Sequence, residues 1–123
     1  MPTAAAAVFA LVAAFPLLVQ IALALGAPWG HVTLGGRWPG RLPPGIRLAA
    51  LAQAAILACQ AIVALDHAGL VALGLPADAI WIVAAISCVA AVLNTITPSR
   101  TERRLWAPAT VLMAGAALTL AFT

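Results

Sequence analysis

Four long apolar stretches dominate this sequence and limit what it can fold into. They cover residues 4–25, 46–65, 79–97 and 105–122. Each approaches or exceeds the ~20 residues that an α-helix needs to cross the hydrocarbon core of a bilayer. Backbone in lipid must satisfy its own hydrogen bonds, which favours helices for such stretches. The pattern predicts an all-α integral membrane protein, one domain over residues 1–123 in which four helices form a bundle.

The composition agrees with a membrane environment. Of the 123 residues, 65% are apolar and 7% are charged. A soluble domain of this length has too much surface for its volume to bury so many apolar side chains. The first apolar stretch has no basic segment before it and is longer than a signal-peptide core, so we expect a permanent span. The few charges indicate membrane lipids as partners and no nucleic acid.

The basic residues predict an orientation. All six are arginines, three at positions 37, 41 and 47 and three at positions 100, 103 and 104, whereas the segment from Asp66 to Asp78 contains none. Loops rich in basic residues stay in the cytoplasm. We therefore expect the first and third loops in the cytoplasm, both termini outside, and insertion in a plasma (inner) membrane. Arginine and alanine in place of lysine are typical of a high-GC bacterial genome.

The first loop is long for so small a protein. Residues 26–45 contain six of the nine glycines and four of the nine prolines. Loops of this length without regular structure are usually functional or disordered. Apolar residues such as Trp29, Val32 and Trp38 argue against disorder. We therefore expect a long Gly/Pro-rich loop between helices 1 and 2 that folds back against the start of helix 4.

Polar residues inside the spans collect near the ends that carry arginine. Gln20, Gln53 and Asn94 are the clearest cases, and no charged residue lies near the middle of a span. The missing mid-membrane charge disfavours ion-coupled transport. The amides either hold the helices in register, at ~0.6 kcal/mol each, or line a pocket at the cytoplasmic leaflet.

A pocket of this kind would have its acid–base groups and its binding groups on the cytoplasmic side. His31 and Glu102 are the candidate catalytic residues, because histidine exchanges protons near neutral pH and Glu102 is the one carboxylate on that side. Glu102 also completes a capping box with Ser99. We expect Glu102 within ion-pair distance of His31 or of a first-loop arginine. The candidate substrate-binding residues are Arg37, Arg41, Arg47, Arg100 and Arg103 for an anionic head group, and Gln20, Gln53 and Asn94 for the polar floor.

Metal and cofactor chemistry has no signature in the sequence. The two histidines are far apart, and Cys59 and Cys88 do not form a CxxC pair. We expect no metal, no cofactor and two free thiols, because nothing near either cysteine would activate a thiolate.

Two groups of short motifs resemble a known pattern. The first group is GAPWG at 26–30, LGG at 34–36 and LP at 42–43, followed by Arg47 and Gln53. The second group is Asn94, TPS at 97–99, ER at 102–103 and LWAP at 105–108. Together they resemble a family of small uncharacterised four-helix bacterial membrane proteins. The resemblance implies four spans and no particular activity.

Three functions remain open at this level. The first is a membrane-embedded enzyme or binding protein that acts on a lipid-like or isoprenoid-like amphiphile at the cytoplasmic leaflet. The second is a structural or accessory subunit that packs against a larger membrane complex through its alanine ridges. These ridges have small residues at four-residue spacing, namely Ala6-Ala10-Ala14 and Ala50-Ala54-Ala58, and Gly115 with Thr119 has the same spacing. The third, disfavoured by the missing mid-membrane charge, is a small transporter assembled as a homo-oligomer.

Overall fold

Four α-helices make up most of the chain. The computed structural model describes residues 2–123, and within them it contains no strand. The helices are α1 (Pro2–Ala24), α2 (Pro44–His67), α3 (Ala79–Ile96) and α4 (Arg100–Ala121). All four are long and apolar enough to cross a membrane, which indicates a membrane protein.

Glycines with positive φ end the first two helices. At the end of α1, Gly26 has φ +102°. Its N–H donates to Leu23 O, and the next N–H, from Ala27, donates to Ala22 O. This is the Schellman motif, which satisfies the last carbonyls of a helix and requires a left-handed residue at the position of Gly26. Gly69 ends α2 in the same way.

The helices pack around one apolar core, but not evenly. Phe9, Leu57, Ile80 and Met113, one from each helix, belong to the same buried cluster. α1 packs extensively on both α2 and α4, and α3 packs on α4, whereas α2 and α3 hardly touch. The bundle is therefore open along the seam between α2 and α3.

The alanine ridges of α1 and α2 lie inside the bundle. Ala6, Ala50 and Ala54 are all buried. Small side chains let helix backbones approach closely, which in a membrane replaces the hydrophobic driving force for packing. These ridges are therefore used within the chain.

The segment between α1 and α2 is more ordered than a plain loop. Residues 25–43 include two single-turn 3-10 helices, Gly30–Val32 and Leu34–Gly36. The indole Nε1 of Trp106, on α4, donates a hydrogen bond to Val32 O at 2.6 Å. This bond attaches the segment to the first part of α4.

The fourth helix begins before its apolar stretch. α4 starts at Arg100, whereas the hydropathy pattern starts at Leu105. The extension follows from an N-cap, because Ser99 Oγ accepts a hydrogen bond from Glu102 N–H at 3.3 Å. The reciprocal half of the predicted capping box is missing, since Ser99 N–H bonds to Thr97 Oγ1 instead. The carboxylate of Glu102 is thus not used in the cap.

The opposite end of the bundle is held by different contacts. His67 Nε2 donates to Leu120 O at 3.0 Å and joins α2 to α4. Trp81 and Phe122 pack edge to face, with ring centroids 5.0 Å apart. Cys59 and Cys88 are free thiols, as the sequence predicted.

Candidate functional site

A cleft occupies the open seam between α2 and α3. Its volume is about 320 Å³, within the range of small-molecule sites. The residues that line it are Pro16, Gln20, Thr33, Leu34, Leu42, Ile46, Ala49, Ala50, Gln53, Leu57, Gln60, Ile86, Ser87, Ala90, Asn94, Glu102, Trp106, Thr110 and Met113. Most are apolar, and we call this space the α2–α3 cleft.

Helical periodicity explains why these residues share one space. On α4, Glu102, Trp106, Thr110 and Met113 follow spacings of four, four and three residues, and so lie on one face. The lining residues of α2, within 46–60, also follow helical spacing. Each helix therefore presents one stripe to the cleft.

A polar contact limits the cleft along the bundle axis. Gln60 Nε2, on α2, donates to Ser87 Oγ, on α3, at 3.4 Å. Gln53 and Asn94 lie seven residues from these two positions toward the other end of the cleft, which corresponds to ~10 Å at the rise of an α-helix. The cleft is thus apolar in its middle and polar at both ends.

Glu102 is the one ionisable residue in the lining. Its side chain is 8% exposed, and its Oε2 atom is buried without a hydrogen-bond partner. The carboxylate lies in the first turn of α4, where the helix dipole stabilises negative charge. A buried oxygen without a partner is nevertheless costly. The cleft therefore contains an acceptor whose hydrogen-bonding capacity is not used by the protein.

Four of the residues singled out in the sequence lie together. Gln20, Gln53, Asn94 and Glu102 all line the α2–α3 cleft. His31, in contrast, is exposed in the first 3-10 turn and does not belong to the lining.

The predicted ion pair of Glu102 is not formed among residues 2–123. Glu102 Oε2 has no polar partner. The first-loop arginines bond to backbone carbonyls instead: Arg41 Nε donates to Gly26 O and Arg47 Nε to Leu42 O, both at 3.0 Å. The Arg41 guanidinium lies beside the end of α1, where cations are stabilised by the last carbonyls of the helix. Arg47 bonds instead to the segment just before α2.

The other three candidate arginines also lie outside the lining. Arg103 Nη1 donates to Thr97 O at 2.6 Å. The Arg37 guanidinium lies over the Trp38 ring, 5.0 Å from its centroid, and Arg100 is exposed. That these arginines hold an anionic head group stays a prediction, and no guanidinium lines the cleft.

Sequence reasoning missed several polar residues of the cleft. Gln60, Ser87, Trp106 and Thr110 line the cleft and are not among the residues that the sequence predicted for the site. The spacing of Trp106 and Thr110 from Glu102 could have indicated their position, because residues four apart share a helix face. Ser87 offered no such signal, since its pairing depends on how α2 and α3 meet.

Neither a metal site nor a match to a known protein indicates what the cleft does. Within residues 2–123, no group of three His, Cys, Asp or Glu side chains could hold a metal ion. No protein-family model, curated protein or solved structure matches this chain. The function is therefore argued from the α2–α3 cleft.

Proposed function

We propose that this chain is a membrane-embedded protein that binds a lipid-like or isoprenoid-like amphiphile in the α2–α3 cleft. The observation that carries the proposal is the cleft itself, an apolar space with polar ends on the open side of the bundle. Exposed lining residues such as Ala49, Gln53 and Ile86 indicate that it opens sideways, toward lipid. A molecule dissolved in the bilayer could then enter without crossing water.

The arginine distribution supports the cytoplasmic leaflet as the place of binding. Gln20, Gln53 and Glu102 lie near the helix ends from which the two arginine-rich segments continue. By the positive-inside rule these ends face the cytoplasm. In this orientation the end of the cleft with Gln20, Gln53 and Glu102 is near the inner head groups, and the apolar middle of the cleft is at tail depth.

The chemistry of the lining favours binding over a two-group acid–base reaction. General acid–base catalysis by a pair of residues needs two titratable groups within reach of one substrate. Glu102 is the sole titratable residue among those that line the cleft, and His31 is not one of them. Glu102 therefore remains as one candidate acid or base, without the predicted partner.

The alternative functions gain less from the structure. On α1 and α2 the ridge residues Ala6, Ala50 and Ala54 are buried within the chain, and the other ridge alanines are half-buried. Gly115 and Thr119, on α4, are the small-residue pair that stays exposed. The Thr119 hydroxyl donates to Gly115 O within the same helix. No contact among residues 2–123 favours an accessory subunit or an oligomeric transporter.

Blocking the cleft tests the proposal. The protein is placed in nanodiscs with a diazirine-bearing farnesol analogue, irradiated, and mapped by peptide mass spectrometry. We expect adducts on cleft residues in the wild type and their loss in Ala90→Phe, because Ala90 lines the cleft and a phenyl ring fills its space.

The control is Ala85→Phe, on the same helix. Ala85 is exposed and does not line the cleft, so the substitution adds the same ring outside the proposed site. Cleft adducts should persist in this variant. Wild-type adducts scattered over all lipid-facing residues, with none enriched in the cleft, would contradict the proposed function.

A further inference from the structure

Some polar atoms of the α2–α3 cleft have hydrogen-bond partners within the protein and others do not. Trp106 Nε1–H donates to Val32 O, and the Thr110 hydroxyl donates to Trp106 O at 2.8 Å. The Asn94 amide donates from Nδ2 to Ala90 O at 2.7 Å. Each of these bonds uses one donor inside the protein. The Thr110 and Asn94 side-chain oxygens keep lone pairs for a ligand, and Asn94 also keeps a second N–H.

Glu102 adds a further hydrogen-bond acceptor that the protein does not use. Its Oε2 atom is buried and has no partner, and a carboxylate oxygen accepts hydrogen bonds. No arginine lines the cleft, so nothing there would compensate a second negative charge. An anionic head group beside an ionised Glu102 would bring two like charges together in a poorly solvated space, where they repel strongly.

We propose that Glu102 selects amphiphiles whose head group donates a hydrogen bond and carries no negative charge, that is, a long-chain alcohol or amine and not a phosphate. The inference rests on the proposed function, since it names the class of ligand for the same cleft. Glu102 lines the cleft, and a hydroxyl or ammonium group there gives its carboxyl group a hydrogen-bond donor that the protein does not supply to Oε2. The remaining amides, Gln20 and Gln53, carry both donors and acceptors and therefore discriminate against neither class.

A head-group series on one tail tests the selectivity. Farnesol, farnesylamine and farnesyl phosphate compete with the diazirine farnesol analogue for the cleft in nanodiscs. We expect the alcohol and the amine to displace the probe at concentrations roughly tenfold or more below the phosphate, the factor that corresponds to one hydrogen bond to a charged group.

Two substitutions connect the selectivity to Glu102. Glu102→Gln keeps the size and an acceptor but removes the charge, so the disadvantage of farnesyl phosphate should shrink to about threefold or less. Glu102→Leu removes the acceptor, so farnesol should compete about tenfold less well. Thermal unfolding of both variants in the same nanodiscs identifies any loss of binding that comes from loss of the fold.

The outcomes separate this inference from the proposed function. Tighter binding of farnesyl phosphate, or a preference for the alcohol that is unchanged in Glu102→Gln, would overturn the role of Glu102 and leave the cleft as an amphiphile site. Absence of cleft adducts from the farnesol probe in the wild type would overturn both. Alcohol preference that depends on Glu102 supports both.

Discussion

Gly30 shows how a single residue determines the conformation of the segment between α1 and α2. Its N–H donates to Gly40 O at 2.8 Å and draws two parts of the segment together. A Cβ at this position would overlap the Trp38 carbonyl oxygen and approach Gly40 O at 2.7 Å. Both atoms are backbone, so they cannot move aside as a flexible side chain would. The position therefore requires glycine.

Gly30→Ala is expected to lower the free energy of unfolding by ~1–3 kcal/mol, the usual cost of forcing an extra methyl group into packed structure. SDS titration of the protein in detergent, followed by circular dichroism, measures the change. Gly45→Ala is the matched control, because a Cβ there meets no atom within 4 Å and alanine is preferred to glycine in a helix. A variant Gly30→Ala as stable as Gly45→Ala would contradict the close approach.

The common depth of the cleft amides could be predicted from the sequence, whereas the hydrogen-bond partners of the arginine side chains could not, for reasons that differ in kind. Gln20, Gln53 and Asn94 lie in spans, where helical rise and antiparallel connection determine depth, so their common level could be predicted. Arg41 and Arg47 have long flexible side chains. Their position depends on which backbone carbonyls are available after α1 and before α2, and that detail of the backbone cannot be read from residue types.

At the scale of elements, the ends of the helices also could not be predicted from hydropathy alone. Hydropathy predicts the apolar part of α4 from Leu105, but the helix begins at Arg100 because Ser99 caps it. Hydropathy locates the part of a helix in lipid, whereas capping determines where the helix itself begins. Glu102 lies in the interval between the two, which explains how a charged residue enters the lining of an apolar cleft.

The Gln60–Ser87 hydrogen bond joins the side chains of α2 and α3 across their open seam. We expect a double-mutant cycle of Gln60→Leu and Ser87→Ala to give a coupling free energy of ~0.6 kcal/mol, typical of side-chain hydrogen bonds between membrane helices. Its 3.4 Å length argues against a larger value. The cycle is measured by SDS-induced unfolding.

The matched control for this cycle pairs Gln60→Leu with Thr119→Val. Thr119 bonds within α4, to Gly115 O, and is exposed, so its removal should not depend on Gln60. Distant sites without shared partners are expected to be additive. A coupling for Gln60 and Ser87 no larger than that of the control pair would mean that the hydrogen bond does not hold the seam.

At the scale of the whole molecule, charge and cleft point to the same end of the bundle. The arginines lie in the segment that follows α1 and in the first turns of α2 and α4. Gln20, Gln53, Asn94 and Glu102 of the cleft lie near the same helix ends. The opposite end, with Asp66 accepting backbone hydrogen bonds from Leu73 and Leu75, has no basic side chain between α2 and α3. The orientation of the chain in the membrane therefore decides which leaflet supplies the ligand.

Single cysteines test that orientation in intact cells. In a background with Cys59→Ala and Cys88→Ala, we expect a membrane-impermeant maleimide to label Leu73→Cys directly, and Pro39→Cys and Thr101→Cys only after permeabilisation. All three positions are exposed and outside the cleft lining, so labelling reports the side of the membrane. The expectation follows from the positive-inside rule, since Pro39 and Thr101 lie among the arginines. Direct labelling of Pro39→Cys would instead assign the cleft to the outer leaflet, and equal labelling of all three would indicate chains inserted in both orientations.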